Sequence, residues 1–134
     1  MSAPRIEHVN VTVTDPERAA RLMEAVFGWR VRWRGPARDG GHTIHVGSPS
    51  DYVALYTGRD VGYTPDDFAK GRPLNHIGVE VDDLDASEAR VIAAGLAPFN
   101  HGEYEPGRRF YFLDPDGIEY EVISYKGPSV QPGR

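Results

Sequence analysis

An internal repeat constrains the fold of this chain more than any other feature of its sequence. The segment 8–15 (HVNVTVTD) matches the segment 76–83 (HIGVEVDD) at an offset of 68 residues, and the histidine, two valines and the last aspartate coincide. Farther along, Gly28 and Gly95 match at an offset of 67 residues. A repeat that covers so much of the chain predicts two copies of one supersecondary unit.

Both halves have the predicted element order β-α-β-β-β. Apolar and polar residues alternate with a period of two where strands are predicted, and apolar residues recur at helical spacing where helices are predicted. The predicted strands are 6–13, 29–34, 42–46, 52–57, 75–81, 97–100, 109–113 and 120–125, and the predicted helices begin at 14–17 and 85–88. Gly28 and Gly95 end the two helices. The expected fold class is α+β, with two βαβββ modules in tandem.

The length of 134 residues is that of a single domain. We place module 1 at about 5–57, a polar linker rich in Gly, Asp and Pro at 58–73, and module 2 at about 74–125. A tail follows at 126–134, where two prolines and two glycines favour a segment that lies loose or docks on a partner.

Composition excludes several classes of function. The net charge of −5 argues against non-specific binding to nucleic acid, because proteins of that kind carry a basic surface. The absence of cysteine excludes disulfides, thiolate nucleophiles and cysteine-based metal sites, and leaves histidine, carboxylate and phenol oxygen as metal ligands. No apolar run is long enough to span a bilayer and the N-terminus lacks the apolar core of a signal peptide, so we expect a cytoplasmic protein.

The two repeated histidines are the first candidates for a functional site. His8 lies on the polar side of its predicted strand with Asn10 and Thr12, and His76 lies on the polar side of its strand with Glu80. A single histidine in a strand is usually structural or incidental. Two histidines in the same register of a repeat, related by approximate two-fold symmetry, would instead meet at one centre, where neutral imidazoles are good ligands for a divalent transition metal.

A third candidate ligand follows a tight turn near the C-terminus. The segment 114–117 (DPDG) predicts the turn, because proline fixes one dihedral angle and glycine supplies a positive φ. Glu121 lies in the strand after this turn, between Tyr120 and Val122. A buried carboxylate there needs a partner, which a metal ion could provide, whereas the simpler alternative is that Glu121 faces solvent.

These features together resemble the vicinal oxygen chelate (VOC) superfamily, which includes glyoxalase I, extradiol dioxygenases, fosfomycin-resistance enzymes, methylmalonyl-CoA epimerase and bleomycin-binding proteins. The resemblance covers about 6–125. It implies the glyoxalase/bleomycin resistance/dioxygenase fold, in which two modules form a cup-shaped, mostly antiparallel open barrel. It also implies that His8, His76 and Glu121 hold one divalent ion (Fe, Mn, Zn, Ni or Co), and that the chain forms a homodimer.

The chain departs from some members of this superfamily. Glyoxalases and the epimerase take a fourth ligand from the strand position that Ala54 occupies here, and alanine cannot bind a metal. The remaining set of two histidines and one carboxylate is that of non-haem iron dioxygenases and of fosfomycin-resistance enzymes. Tyr111 matches a tyrosine that reaches the substrate in the fosfomycin enzymes, but this chain has no counterpart to their potassium-binding loop.

Several polar residues are candidates for contact with a substrate. Arg108 or Arg109 could hold a carboxylate or phosphate, although a solvated surface pair is an equal alternative. His42 and His45 lie on opposite faces of one predicted strand, so at most one of them points at the metal. The match of His42 to Arg109 favours His42, whereas the apolar Ile44 and Val46 favour His45, and the sequence leaves both open.

The expected function is that of a metal-dependent enzyme acting on a small oxygen-bearing molecule by bidentate chelation and Lewis-acid catalysis. The reaction could be of the glyoxalase, lyase or isomerase type or of the dioxygenase type. Asn10, Thr12, Arg109 and His45 are the expected substrate contacts, and Tyr111 and Glu80 the expected catalytic residues. The base could equally be a histidine or metal-bound hydroxide. The alternative class is a non-catalytic protein of the bleomycin-resistance type, which sequesters a drug or metabolite.

Overall fold

The computed structural model describes residues 3–104 and 107–126 of the chain. The chain divides into two compact units, Met1–Asp67 (unit 1) and Phe68–Arg134 (unit 2). The division falls inside the predicted linker 58–73, which also contains a short 3-10 helix at Pro65–Asp67. The predicted tail, which was expected to lie loose or to dock on a partner, is outside the described residues from position 127 onward.

Unit 1 is a four-stranded mixed sheet with one helix. Its elements are β1 (His8–Thr12), α1 (Pro16–Phe27), β2 (Arg30–Pro36), β3 (His42–Gly47) and β4 (Tyr52–Thr57). The strand order is β1-β4-β3-β2, in which β1 runs parallel to β4 and the other neighbours are antiparallel. The predicted βαβββ order is therefore confirmed for the first module.

Unit 2 repeats this topology. Its elements are β5 (Ile77–Glu80), α2 (Leu84–Ala93), β6 (Phe99–Tyr104), β7 (Gly107–Leu113) and β8 (Glu119–Ser124). The strand order is β5-β8-β7-β6, with β5 parallel to β8 and the other neighbours antiparallel. The fold class is α+β with two βαβββ modules, as the repeat predicts. Among the described residues, no helix has the length and apolar character needed to cross a membrane.

The two helices begin at equivalent aspartates. Asp15 and Asp83 are the N-cap residues, and their carboxylates accept hydrogen bonds from the backbone N–H groups of Arg18 and Ala86. The prediction that the second helix begins at 85–88 was wrong, because Asp83 already satisfies the free N–H groups of the first turn. The two N-cap aspartates are 68 residues apart from each other, as are the two histidines of the repeat.

Each sheet has a helix face and an open face. The helix face packs against the helix of its own unit and holds the apolar core, which includes Met23, Val26, Ile44, Val46 and Leu55 in unit 1 and Val91, Phe110, Phe112, Tyr120 and Val122 in unit 2. The open face, on the other side of the sheet, carries the residues that alternate with this core. In the strands without a bulge, the period-two patterns of the sequence therefore predict correctly which side chains leave the core.

A bulge interrupts the alternation of β2. The pairing register between β2 and β3 shifts between Val31 and Trp33, so that the extra residue, Arg32, lies on the same side as Trp33. Trp29 precedes the strand and contacts the ring of Phe27. The predicted strand 29–34 therefore begins one residue too early, and its alternation is broken by the bulge.

The sixth strand is longer and begins later than the predicted strand 97–100. It spans Phe99–Tyr104 and so includes His101, which the sequence had suggested to lie in a loop. The imidazole Nε2 of His101 lies 2.8 Å from Oε2 of Glu88 on α2, on the helix face of the sheet. This contact explains why a polar strand residue faces the helix.

Candidate functional site

The side chains of His76, Glu121 and Arg109 form a cluster in unit 2. Nε2 of His76 lies 3.0 Å from Oε1 of Glu121, and Nη1 of Arg109 donates a hydrogen bond of 2.9 Å to the other carboxylate oxygen, Oε2. The Glu121 side chain is only 13% exposed, so the alternative in which it faces solvent is wrong. Its two partners stabilise a carboxylate that would otherwise be costly to bury.

Strand register places this cluster on the open face. Glu121 on β8 pairs with Tyr111 on β7 and with Gly78 on β5, and paired residues point to the same side of a sheet. Gly78 has no side chain, and a Cβ there would meet no atom within 4 Å. His76 precedes β5 by one residue, and its ring contacts Glu121.

The residue before each repeated histidine holds the ring by Nδ1. Oε1 of Glu7 lies 3.0 Å from Nδ1 of His8, and Oδ1 of Asn75 lies 2.7 Å from Nδ1 of His76. In metal sites, a hydrogen bond of this kind at one ring nitrogen fixes the tautomer and directs the other nitrogen to the ion. In both copies of the repeat, Nε2 would therefore be the nitrogen that could bind an ion.

The spacing of His76 and Glu121 fits either a hydrogen bond or two neighbouring metal ligands. A ring whose Nε2 carries the proton can donate it to Oε1 of Glu121, and the distance of 3.0 Å is ordinary for such a bond. A ring whose Nδ1 carries the proton, bound to Oδ1 of Asn75, would leave Nε2 with a lone pair for a metal ion. Metal bonds of about 2.1 Å at a right angle separate two ligand atoms by about 3.0 Å, so the observed spacing fits two adjacent coordination positions.

A third ligand is not part of this cluster. Across 3–104 and 107–126, no three histidine, aspartate or glutamate side chains lie close enough together to form a group that could hold a metal ion. The donor chemistry of His76 and Glu121 fits a divalent ion at two positions. The complete set with His8 stays a prediction of the repeat.

The open face of unit 1 carries a row of stacked rings. The ring of Tyr52 stacks on His8 at 4.8 Å between centroids and on His45 at 4.5 Å, and His45 contacts Trp33 at 5.1 Å. The guanidinium of Arg32 lies 4.5 Å from the Tyr52 ring centroid. Burial lowers the pKa of His45 below its ordinary value, and the neighbouring His8 and Arg32 lower it further.

His42 and Arg108 lie on the helix faces of their sheets, where each contacts a carboxylate of the neighbouring helix. Nε2 of His42 lies 3.1 Å from Oε2 of Glu17 on α1, and Nη2 of Arg108 lies 3.3 Å from Oδ1 of Asp85 on α2. His42 and Arg108 occupy equivalent places, because the turn between β7 and β8 is one residue longer than the turn between β3 and β4. The predicted match of His42 to Arg109 was therefore wrong.

Of the candidates His42 and His45, it is therefore His45 that lies on the open face of unit 1. Of Arg108 and Arg109, it is Arg109 that lies on the open face of unit 2. Ala54 pairs with Asn10 and with His45, so it lies on the face of His8, as the repeat predicts. Thr12 points to the same side of β1 as Asn10.

A cavity of about 400 Å³ lies on the open face of unit 2. Glu80, Arg109 and Glu121 line it, together with Gly78, Ile123 and Tyr125. Tyr111 borders the same face, where its ring meets the His76 ring edge-on at 5.9 Å between centroids. Both predicted catalytic residues of unit 2 are thus near the His76–Glu121 pair.

Sequence reasoning missed the roles of Glu7, Asn75 and Arg109 as partners of the candidate ligands. A signal for the first two was present, because a side-chain oxygen precedes the histidine in both copies of the repeat. The pairing of Arg109 with Glu121 depends on the register between β7 and β8, which no local pattern fixes.

The Glu17–His42 pair makes a prediction for stability against pH. The hydrogen bond from His42 lowers the pKa of Glu17 below its ordinary value of 4.5, and Arg34 lowers it further. A carboxyl with a lowered pKa in the folded state contributes stability above its unfolded pKa and loses it as the pH falls through the folded pKa. We expect Glu17→Gln to flatten the fall in unfolding free energy between pH 5 and pH 3, measured by urea denaturation, whereas Glu24→Gln on the same helix should not.

Two βαβββ modules in tandem, each with a helix face and an open face, define a class of small α+β proteins. The chain belongs to the Glyoxalase/Bleomycin resistance protein/Dioxygenase superfamily, whose family model matches residues 5–122. No curated protein sequence matches it significantly.

Solved structures agree with this membership. A glyoxylase/bleomycin resistance protein/dioxygenase domain from Frankia sp. EAN1pec is 26% identical, with a TM-score of 0.78, and the match covers 92% of this chain and 98% of that chain. TnmS3, an antibiotic binding protein from Streptomyces sp. CB03234, is 23% identical, with a TM-score of 0.68 and coverage of 92% and 98%. The fosfomycin resistance protein FosX from Listeria monocytogenes, complexed with Mn(II) and sulfate ion, is 15% identical, with a TM-score of 0.68 and coverage of 92% and 93%.

Proposed function

We propose that this protein is a divalent-metal-dependent enzyme acting on a small oxygen-bearing substrate, with His8, His76 and Glu121 as the metal ligands. The observation that carries the proposal is the contact of 3.0 Å between Nε2 of His76 and Oε1 of Glu121, a spacing that fits two neighbouring metal ligands. The second support is the contact of a side-chain oxygen with Nδ1 in both copies of the repeat, which would direct Nε2 of each histidine to an ion. FosX, a protein of the same fold, binds Mn(II).

When bound, a divalent ion would supply Lewis acidity to a substrate oxygen. The protein residues would orient and protonate the substrate. Arg109 holds Oε2 of Glu121 and so keeps the carboxylate in a mode that offers one oxygen, Oε1. Glu80 lines the same cavity and is the candidate base that takes a proton from the substrate. Tyr111, edge-on to His76, is the candidate donor of a hydrogen bond to a substrate oxygen.

The class of reaction depends on how many coordination positions of the metal ion the protein would leave open to substrate. Ala54 lies on the open face where a fourth ligand would be needed, so three ligands leave room for two substrate oxygens. We favour a lyase, isomerase or addition reaction over ring cleavage with O₂, because Glu80 lies in the same cavity as Glu121 and could act as the base for proton transfer. Asn10, Thr12 and His45 would contact the substrate from the open face of unit 1.

One comparison of activities tests this proposal. Metal-loaded protein is assayed without oxygen against α-keto hemithioacetals and epoxides, and in parallel for oxygen uptake with a panel of catechols. We expect anaerobic turnover that tolerates several divalent ions, because only Lewis acidity is needed. Oxygen uptake that requires Fe(II) or Mn(II) and fails with Zn(II) would establish the dioxygenase reaction instead.

A second candidate function is the sequestering of a small molecule without catalysis. Two observations favour it: Arg109 already occupies one oxygen of Glu121, and the described part of the chain holds no assembled group of three ligands. TnmS3 shows that the fold serves antibiotic binding. A protein that stays free of metal after loading, and binds a ligand without turnover, would support this function.

The pairing of Arg109 with Glu121 makes a prediction for metal affinity. Arg109→Met removes the group that positions a metal ligand, and loss of such an outer partner weakens metal binding by about 10- to 100-fold. Competition with a chromogenic chelator measures the affinity. Arg108→Met, which removes an arginine from the helix face of the same strand, is the matched control and should change affinity little.

We also propose a homodimer, as the superfamily resemblance implies. Light scattering of the purified protein tests the dimer, with a mass of about 30 kDa expected against 14.9 kDa for one chain. A single species at the mass of one chain would contradict it.

A further inference from the structure

Unit 1 contains a cavity that the proposed metal centre does not use. It has a volume of about 440 Å³ and lies where α1 ends, β2 begins and β3 turns into β4. This volume is within the range of small-molecule sites in proteins. The cavity is lined by Trp29, Arg30 and Arg32 at the start of β2, and by Ser48 and Pro49 in the turn between β3 and β4.

The cavity carries uncompensated positive charge. Arg30 and Arg32 line it, and none of its lining residues is acidic. Over 3–104 and 107–126 neither arginine forms an ion pair, whereas Arg34 on the same strand pairs with Glu17 at 3.2 Å. Two guanidinium groups without a carboxylate partner attract an anion, and their planar forks match the two oxygens of a carboxylate.

The cavity also has an aromatic surface, the indole of Trp29. The indole of Trp29 packs against the ring of Phe27 at 4.7 Å between centroids, which holds it in place beside the cavity. The β2 bulge turns Arg32 toward Tyr52, and its guanidinium lies 4.5 Å from that ring centroid. A planar aromatic ligand can stack on this indole, which a saturated ligand cannot do.

We propose that this cavity binds a planar aromatic carboxylate, with Arg30 and Arg32 on the carboxylate and Trp29 stacked on the ring. None of the residues that line the cavity is a proposed metal ligand, so the inference does not depend on the proposed metal function.

Calorimetric titration of the full chain with 2-naphthoate tests this site. We expect saturable binding of one molecule per chain, and binding weaker by about tenfold or more for 2-naphthamide, which lacks the charge, and for decahydro-2-naphthoate, which lacks the flat ring. The double variant Arg30→Gln/Arg32→Gln should lose about tenfold or more in affinity, and Trp29→Leu should lose affinity as well. Arg34→Gln and Trp33→Leu, on the same strand but outside the cavity, are the matched controls.

Metal removal separates this inference from the proposed function. Binding of 2-naphthoate should be equally strong in chelator-treated protein and in His76→Ala. Binding that disappears with the metal would place the probe at the metal centre and overturn the inference. Binding that survives Arg30→Gln/Arg32→Gln unchanged, or no binding of 2-naphthoate at all, would overturn it too. Arg30 and Arg32 are both exposed, so we expect the double variant to fold.

Discussion

His76→Ala is expected to weaken divalent metal binding on the order of 100-fold or more. The substitution removes a proposed ligand, and even the loss of an outer partner of a ligand costs about 10- to 100-fold. Neutral imidazole is also the form that binds, so the remaining affinity should fall further at acid pH. Competition with a chromogenic chelator, using manganese and zinc in turn, measures the change.

His101→Ala is the matched control for this experiment. His101 is likewise an exposed histidine near the start of a module-2 strand, but it contacts Glu88 on the helix face. Its replacement should leave metal affinity unchanged. Equal affinities for the wild-type protein and His76→Ala would remove this histidine from the site, and with it the proposed ligand set.

Phe110→Ala is expected to destabilise the protein by about 3–5 kcal/mol, because it empties a fully buried position. The midpoint of thermal unfolding should fall by roughly 10–20 °C. Phe110 lies on the helix face of β7, directly between Arg109 and Tyr111, which point to the open face. Urea denaturation of metal-free protein measures the change without a contribution from bound ion.

Tyr111→Ala tests the same strand one residue farther on. Because Tyr111 is only half-buried on the open face, its loss should cost about 1 kcal/mol. Its effect should appear instead in substrate turnover, where Tyr111 is the proposed hydrogen-bond donor. A Tyr111→Ala variant as unstable as Phe110→Ala would show that the two faces of β7 are assigned the wrong way round.

The repeat was sufficient to predict the architecture and the faces. Histidine and aspartate recur at one offset, and they prove to be the strand-start histidines His8 and His76 and the helix caps Asp15 and Asp83. Alternation of apolar and polar residues then determines that Glu121 shares a face with Tyr111. These features could be predicted because they depend on local periodicity and on hydrogen bonds over three or four residues.

The remaining features depend on contacts that no local pattern encodes. A single extra residue in the turn before β8 changes the equivalence of the third strands, so His42 corresponds to Arg108. The β2 bulge, which turns Arg32 onto Tyr52, is likewise a property of strand pairing. The pairing of Arg109 with Glu121 could not be predicted, because alternation places Arg109 on the open face but only the register between β7 and β8 brings the two side chains together.

The central claim is that His76 and Glu121, with His8, hold one divalent ion. Elemental analysis and X-ray absorption of metal-loaded protein, freed of excess ion, test it most directly. The account predicts about one ion per chain, with two imidazole nitrogens and carboxylate oxygen bound to it. A fully folded protein that holds no ion after loading, or an ion bound without imidazole, would contradict it.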